Sequence, residues 1–185
     1  MQDQATNLKQ FDNSWYNPGS ALVRFLWMMC SAVFFRHSLA VGSSHKRIIL
    51  KLFGAQLGES IVIKPAVNIK YPWKLSIGDF SWIGENCWID NLDQVTIGAH
   101  VCLSQGSFLL CGNHNYKKQS FDLMIAPITL EDGVWIGAQS TVCPGVTCHS
   151  HAVLSVGSVA TKDLEAYSIY QGVPAVRIKA RSIEA

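Results

Sequence analysis

"IGDFSWIGENCWIDNLDQVTIGAHVCLSQGSF", residues 77–108, advances in steps of six. Ile77, Ile83, Ile89, Ile97 and Leu103 each open a short unit, and glycine often follows the opening residue. A period of six fits neither the 3.6 of an amphipathic helix nor simple alternation, but a short strand plus a turn, repeated, satisfies it. Three such units close one triangular coil. Successive coils then stack at the inter-strand spacing of ~4.8 Å, each strand pairing with those above and below. The expected fold is an all-β solenoid.

The same rhythm extends outward. Leu57, Ile63 and Ile69 precede the stretch; Leu130, Ile136, Val142 and Leu154 follow it, with Cys148 the one substitute. The fifth position is small or β-branched (Val67, Ser81, Cys87, Val101, Ser107, Val134, Ser140, Val146, Ala152, Ser158), which suits a second inward site beside a crowded axis. Gly78, Gly84, Gly98 and Gly137 occupy the second position, where tight packing or an unusual turn disfavours a Cβ. Two-residue insertions, Leu75–Ser76 and Val95–Thr96, are expected to bulge one corner. The rhythm fails in "LLCGNHNYKKQSF", residues 109–121, and resumes at Leu130.

A stack of coils cannot bury its own end rungs, so it needs caps. Residues 1–56 are read as a helical cap, 57–165 as the β-helix with an extruded loop at about 112–128, and 166–185 as a short basic tail or helix. The 185 residues suit one domain. A 15% charged and 49% apolar composition points to an extended core or a buried subunit interface. The net charge of +2 with scattered basic residues excludes the footprint of a nucleic-acid binder. Six cysteines without a CxxC pair read as reduced, buried thiols, which favours the cytoplasm, and the N-terminus lacks the basic start of a secretory signal. The apolar run at residues 21–35 contains Arg24 and closes on Arg36 and His37, short of the ~20 residues of a membrane span. It reads as a helix laid against the body, with peripheral contact at the inner face of the cytoplasmic membrane as the alternative.

The segment "GVWIGAQSTVCPGVTCHSHAVLSVGSVATKDLEAYSIYQGVPAVRIK", residues 133–179, resembles the C-terminal signature of the hexapeptide-repeat acyltransferases, the galactoside, maltose and nodulation acetyltransferases among them. "WYNPGS", "LKLFGAQLGES" and residues 71–116 extend the resemblance over nearly the whole chain, toward the colanic-acid biosynthesis acetyltransferases of exopolysaccharide clusters. The resemblance implies a left-handed parallel β-helix, a homotrimer with active sites between subunits, acetyl-CoA as donor, no metal, and a saccharide hydroxyl as acceptor.

Transfer of acetyl from a thioester to a hydroxyl needs a base for the alcohol proton, and histidine, with an unperturbed pKa of ~6.5, suits that task. His114 sits where the repeat fails and matches the family's general base in GxHxY; Asn115 stands where many relatives carry Asp. His37, His45, His100, His149 and His151 lie in the cap, an ordinary hexad or a turn, where surface and turn roles explain them. By resemblance, the acceptor lies near Asn86, Asp90 and Asn91, with Ser104 and Gln105 lining the same groove. The donor lies along the later coils with its thioester near His114: Trp135 beside the pantetheine arm, Gly137 allowing close approach, the Ala138 amide at the thioester carbonyl, Val156 and Gly157 as backbone contacts. Thr161, Lys162, Arg177 and Lys179 match positions around the adenine and phosphates. Trp82 and Trp88, sixth in their hexads, are expected to pack at subunit interfaces. Competing readings are a serine or xenobiotic acceptor, a non-catalytic scaffold, and a zinc carbonic anhydrase of the same fold. The last needs a second histidine shortly after His114, where the chain has "NYKKQSF".

Overall fold

The computed structural model describes residues 5–184. The chain winds as a parallel β-helix with three sheet faces. The first face stacks Gln56–Leu57, Leu75–Ile77, Val95–Ile97, Ile128–Leu130 and Thr147–Cys148. The second stacks Val62–Ile63, Trp82–Ile83, Cys102–Leu103, Trp135–Ile136, Val153–Leu154 and Ser168–Gly172; the third stacks Asn68–Ile69, Trp88–Asp90, Phe108–Leu110, Thr141–Val142 and Val159–Ala160. Register keeps the hexad positions above one another, so Ile77 pairs with Ile97 and Ile97 with Leu130.

The core follows the repeat. Ile63, Ile69, Ile83, Ile89, Leu103, Leu130, Ile136, Val142 and Leu154 are buried in the first position, and Val67, Cys87, Val101, Val134 and Ala152 in the fifth. The buried fifth-position serines are satisfied along the axis: the Ser81 hydroxyl donates to Gly98 O at 2.8 Å and the Ser140 hydroxyl to Ser155 O at 2.7 Å. The corners turn at the fourth position, which is left-handed in coil after coil. Gly106, Gly133, Gly145 and Gly157 fill it, but so do Ala66, Phe80, Asn86, His100, Gln139 and His151. The second-position glycines serve close stacking instead: a Cβ on Gly78 would lie 2.6 Å from Ala99 N, and one on Gly137 2.6 Å from Val156 N.

Relative to the eighteen residues between Leu130 and Cys148, the earlier coils are longer. Leu75–Ser76 and Val95–Thr96 lie in strands, and the surplus is absorbed just before them, by the 3-10 turn Pro72–Lys74 and by residues 91–94. Both surpluses fall at the corner between the third and first faces. The break after Leu110 falls there too and is an antiparallel hairpin, Gly112–His114 with Leu123–Ile125, instead of an irregular loop.

The cap holds two helices, α1 (Ala21–Phe34) and α2 (Ser44–Leu52). The first coil has no neighbour below it, and the cap supplies donors to its carbonyls. Lys46 Nζ donates to Lys64 O at 2.8 Å and Ile63 O at 3.3 Å, Arg47 to Ile61 O at 2.8 Å, and Trp27 Nε1 to Ile69 O at 2.9 Å. At the far end, Ser168–Gly172 and Ala175–Ala180 form an antiparallel hairpin. A helix there is thus replaced by strands, because the pairing continues the second face where coil stacking ends.

Candidate active site

His114 ends the first strand of the inserted hairpin and is partly buried. Its ring stacks on Phe121 at 4.4 Å, its Nδ1 lies 2.9 Å from Phe121 O, and Phe11 approaches the ring at 5.8 Å. It lines a pocket of about 570 Å³ with Phe11, Tyr16, Arg24, Lys70, Asp90 and Leu92 among its walls. The third-to-first corner builds this pocket from three successive coils: Lys70 and Tyr71 from one, Asp90 and Leu92 from the next, Gly112 to His114 from the third.

Residues 7–18 close it as a strap. Asn7 N–H donates to Gln119 O at 2.8 Å, tying the strap to the hairpin, and Tyr16 donates its hydroxyl to Leu92 O at 2.7 Å. Burial pushes the Tyr16 hydroxyl well above its ordinary pKa, so it stays protonated as that donor. Lys74 Nζ reaches the same carbonyl at 2.6 Å and lies 4.7 Å over the Tyr16 ring. Asp90 is 2.9 Å from Lys70 Nζ, yet its Oδ1 makes no hydrogen bond of acceptable angle, so the contact is an ion pair with acceptor capacity left over. Beside the site, burial pushes the Cys111 thiol up to about 12, which leaves it a protonated packing group.

Asn91 does not belong to this pocket. Its side chain is fully buried, accepting from Tyr71 N at 2.9 Å and donating to Tyr71 O at 2.6 Å and Lys74 O at 3.0 Å, so its amide closes the corner beneath the site. Asn86, Ser104 and Gln105 lie on a different edge, between the second and third faces. There Gly106 N–H donates to Glu85 O, Gln139 N–H to Gln105 O, and Gly157 N–H to Ala138 O, a ladder climbing one edge. Ala138, Val156 and Gly157 therefore stack above Gln105, and Trp135 Nε1 donates to Ser104 Oγ at 2.9 Å. Among the described residues the Ala138 amide donates to nothing, as an oxyanion donor requires. Within one chain this edge and His114 do not meet. Thr161 lines a second groove of about 340 Å³ at the hairpin root together with Asn113, which also lines the His114 pocket. Lys162 and Lys179 are exposed, whereas Arg177 is engaged by Glu165 at 3.2 Å and Ser168 at 3.0 Å.

Outward positions differ by face. The first face shows Ser76, Thr96, Thr129 and Thr147, while the second shows Trp82 and Trp135 and the third Trp88 stacked on Phe108 at 4.8 Å. His149 and His151 hold turns: His149 Nδ1 is 2.9 Å from Glu131, and His151 stacks on Tyr167 at 4.7 Å. Among the described residues no three of His, Cys, Asp and Glu converge as a metal-binding group. The reading from sequence missed the walls supplied by Phe11, Tyr16, Arg24 and Lys70. The first three lie outside the hexads, where periodicity cannot rank them.

No protein-family model matches the sequence. The curated protein named "Putative colanic acid biosynthesis acetyltransferase WcaF" from Escherichia coli K12 is 37% identical over 166 residues, covering 90% of this chain and 91% of its own. The galactoside O-acetyltransferase of the same organism is 29% identical over 76% of this chain and 70% of its own. Among solved structures, the hexapeptide-repeat acetyltransferase VCA0836 of Vibrio cholerae, complexed with acetyl coenzyme A, superposes with a TM-score of 0.81 over 90% of this chain and 93% of its own, at 21% identity. The winding is thus the left-handed β-helix of that fold. With identity sustained across nine-tenths of its length, the chain belongs to the hexapeptide-repeat acetyltransferases, in the family of the colanic acid biosynthesis acetyltransferase.

Proposed function

We propose that this acetyltransferase moves the acetyl group of acetyl-CoA to a hydroxyl of a saccharide, a surface-polysaccharide precursor, with His114 as general base. The observation that carries the reading is the placement of His114. Its Nδ1 is held at Phe121 O, and its ring lines a pocket of mixed polar and apolar walls that includes the Asp90 carboxylate and the Lys70 ammonium paired with it. In the step, His114 Nε2 takes the acceptor O–H proton as that oxygen bonds to the thioester carbonyl carbon. The Ala138 N–H faces the developing oxyanion, the C–S bond breaks, and the CoA sulfur receives the proton, giving ester and thiol. Acceptor contacts are assigned to Asp90, Arg24 and Lys70.

The donor edge carries Trp135, Gly137, Ala138, Val156 and Gly157, with Ser104 and Gln105 below it. Its separation from His114 supports a homotrimer in which one subunit's hairpin meets another's edge, and the exposed tryptophans of the second and third faces supply apolar contact area. Thr161, Lys162 and Lys179 are assigned to the distal part of the cofactor. Peripheral membrane contact belongs to the same reading. No helix among the described residues is long and apolar enough to cross a membrane, but α1 leaves Leu22, Phe25, Leu26, Met29 and Val33 exposed.

The test is acetyl-CoA turnover against a panel of saccharide acceptors. His114→Ala is expected to lower kcat by ~10²–10⁴-fold, the usual worth of a general base, at unchanged thermal stability. His114→Ala and Trp135→Ala chains refolded together recover activity that neither has alone. Full activity in His114→Ala removes the proposed base, and absence of recovery removes the shared site.

A further inference from the structure

Beside the acceptor pocket lies a second hollow, of about 270 Å³, between α1 and the first coil. Arg24, Arg36 and Lys70 line it, with Ser31 and Asn68, and Arg24, Lys70 and Tyr71 also wall the His114 pocket, so the two spaces adjoin. Lys70 is neutralised by Asp90 at 2.9 Å. Among the described residues, neither the Arg24 nor the Arg36 guanidinium has a hydrogen-bond or ion-pair partner. Ser31, 3% exposed, keeps its hydroxyl buried without a partner. A buried hydroxyl without a partner costs free energy, and Arg24 and Arg36 present two exposed, unpaired guanidiniums beside it; a bound anion with several acceptor oxygens can engage all three. No residue from 13 to 58 is Asp or Glu, so neither α1 nor α2 carries a carboxylate that competes for these cations.

We propose that this hollow binds the phosphoryl or diphosphoryl group of the acceptor, so that the saccharide is presented to His114 as a phosphate ester. Guanidinium forks match phosphate oxygens in bidentate geometry, and Ser31 donates a third bond. The acceptor then spans both spaces: its anionic end between Arg24 and Arg36, and its sugar hydroxyl beside Asp90 and His114. Two carriers share this chemistry, a nucleoside diphosphate and a lipid diphosphate. Met28, exposed on α1, lines the same hollow.

The inference rests on the acceptor-pocket reading, but its first test does not use acetyl transfer. Calorimetry with inorganic pyrophosphate is expected to show saturable binding to the wild-type protein that weakens with added salt. Arg36→Gln is expected to weaken it at least ~10-fold, and Arg36→Lys to restore part, as loss of one charge-assisted bond predicts. Ser31→Ala is expected to weaken it less, at unchanged thermal stability. Absence of binding, or equal binding in Arg36→Gln, overturns the proposal even if acetyl transfer is confirmed. The second arm compares kcat/KM for one sugar offered as methyl glycoside, nucleoside diphosphate and lipid diphosphate in micelles. A phosphorylated form is expected to exceed the glycoside by at least ~10-fold, with the excess lost in Arg36→Gln. Preference for either carrier identifies the source, and no preference over the glycoside overturns the proposal.

Discussion

The imidazole of His114 lies flat on the ring of Phe121, planes 8° from parallel, while its Nδ1 sits 2.9 Å from the carbonyl oxygen of the same residue. A carbonyl only accepts, so in the neutral ring Nδ1 carries the hydrogen and the lone pair falls on Nε2, where the proposed base needs it. One residue of the hairpin loop thereby sets both the ring plane and the tautomer. With His114 as the proposed base, Phe121→Ala is expected to lower kcat about tenfold or more with KM little changed, since it frees that ring and leaves the walls of the proposed acceptor pocket in place. Steady-state kinetics with both substrates varied separates the two constants.

Trp27 joins the cap to the first coil through both its ring and its N–H. Trp27→Phe keeps most of the packing but leaves Ile69 O dry, at a cost of ~1–3 kcal/mol. Trp27→Ala also empties a site packed by Phe35 and Phe53, each 5.2 Å from the indole, at ~3–5 kcal/mol. Urea unfolding of the two variants should rank them in that order.

Two kinds of glycine respond differently to a methyl group. At Gly78 an added Cβ strikes Gly98 and Ala99 backbone atoms at 2.6 Å, which cannot yield without parting two coils. The cost is expected at or above the ~1–3 kcal/mol usual for overpacking. At Gly106 the nearest atom is the Gln139 Cγ at 3.5 Å and the cost is that of the left-handed turn alone, ~1–2 kcal/mol. Denaturation midpoints are therefore expected to fall further in Gly78→Ala than in Gly106→Ala.

Acid should loosen the later coils. Glu131 holds His149 at 2.9 Å and both the amide and hydroxyl of Ser150, and these bonds lower its pKa from the ordinary carboxylate value. A carboxylate depressed in the folded state adds stability that is fully present above its unfolded pKa and disappears as pH falls through the folded one. Solvent screens this partly exposed group, so the effect is small. Glu131→Gln is expected to be slightly less stable at neutral pH and to show a shallower loss of melting temperature on acidification below about pH 4.5.

The hexad made the inward positions readable, because a side chain that must meet the axis every sixth residue leaves a periodic mark. The corners left no such mark. Phe80, His100 and Gln139 adopt the left-handed turn that glycine adopts elsewhere, since close stacking above and below over-determines their backbone. Asn91 shows another limit. An amide that satisfies backbone groups under a corner is indistinguishable in sequence from one that greets a ligand, and its three internal bonds decide the matter. His114 stands out in the sequence because it breaks the rhythm. Tyr16 does not, since its partner Leu92 lies 76 residues away and no local pattern encodes that contact.

Three enlargements of the coil, at residues 70–74, 91–94 and 111–127, share a single edge of the prism, and each coil still closes onto its neighbour in register. Length can thus change at that edge without shifting any inward side chain. Duplication or loss of a few codons there would remodel what the pocket accepts while the scaffold and the opposite ladder of amides persist. The architecture separates the part that selection can edit freely from the part it must keep.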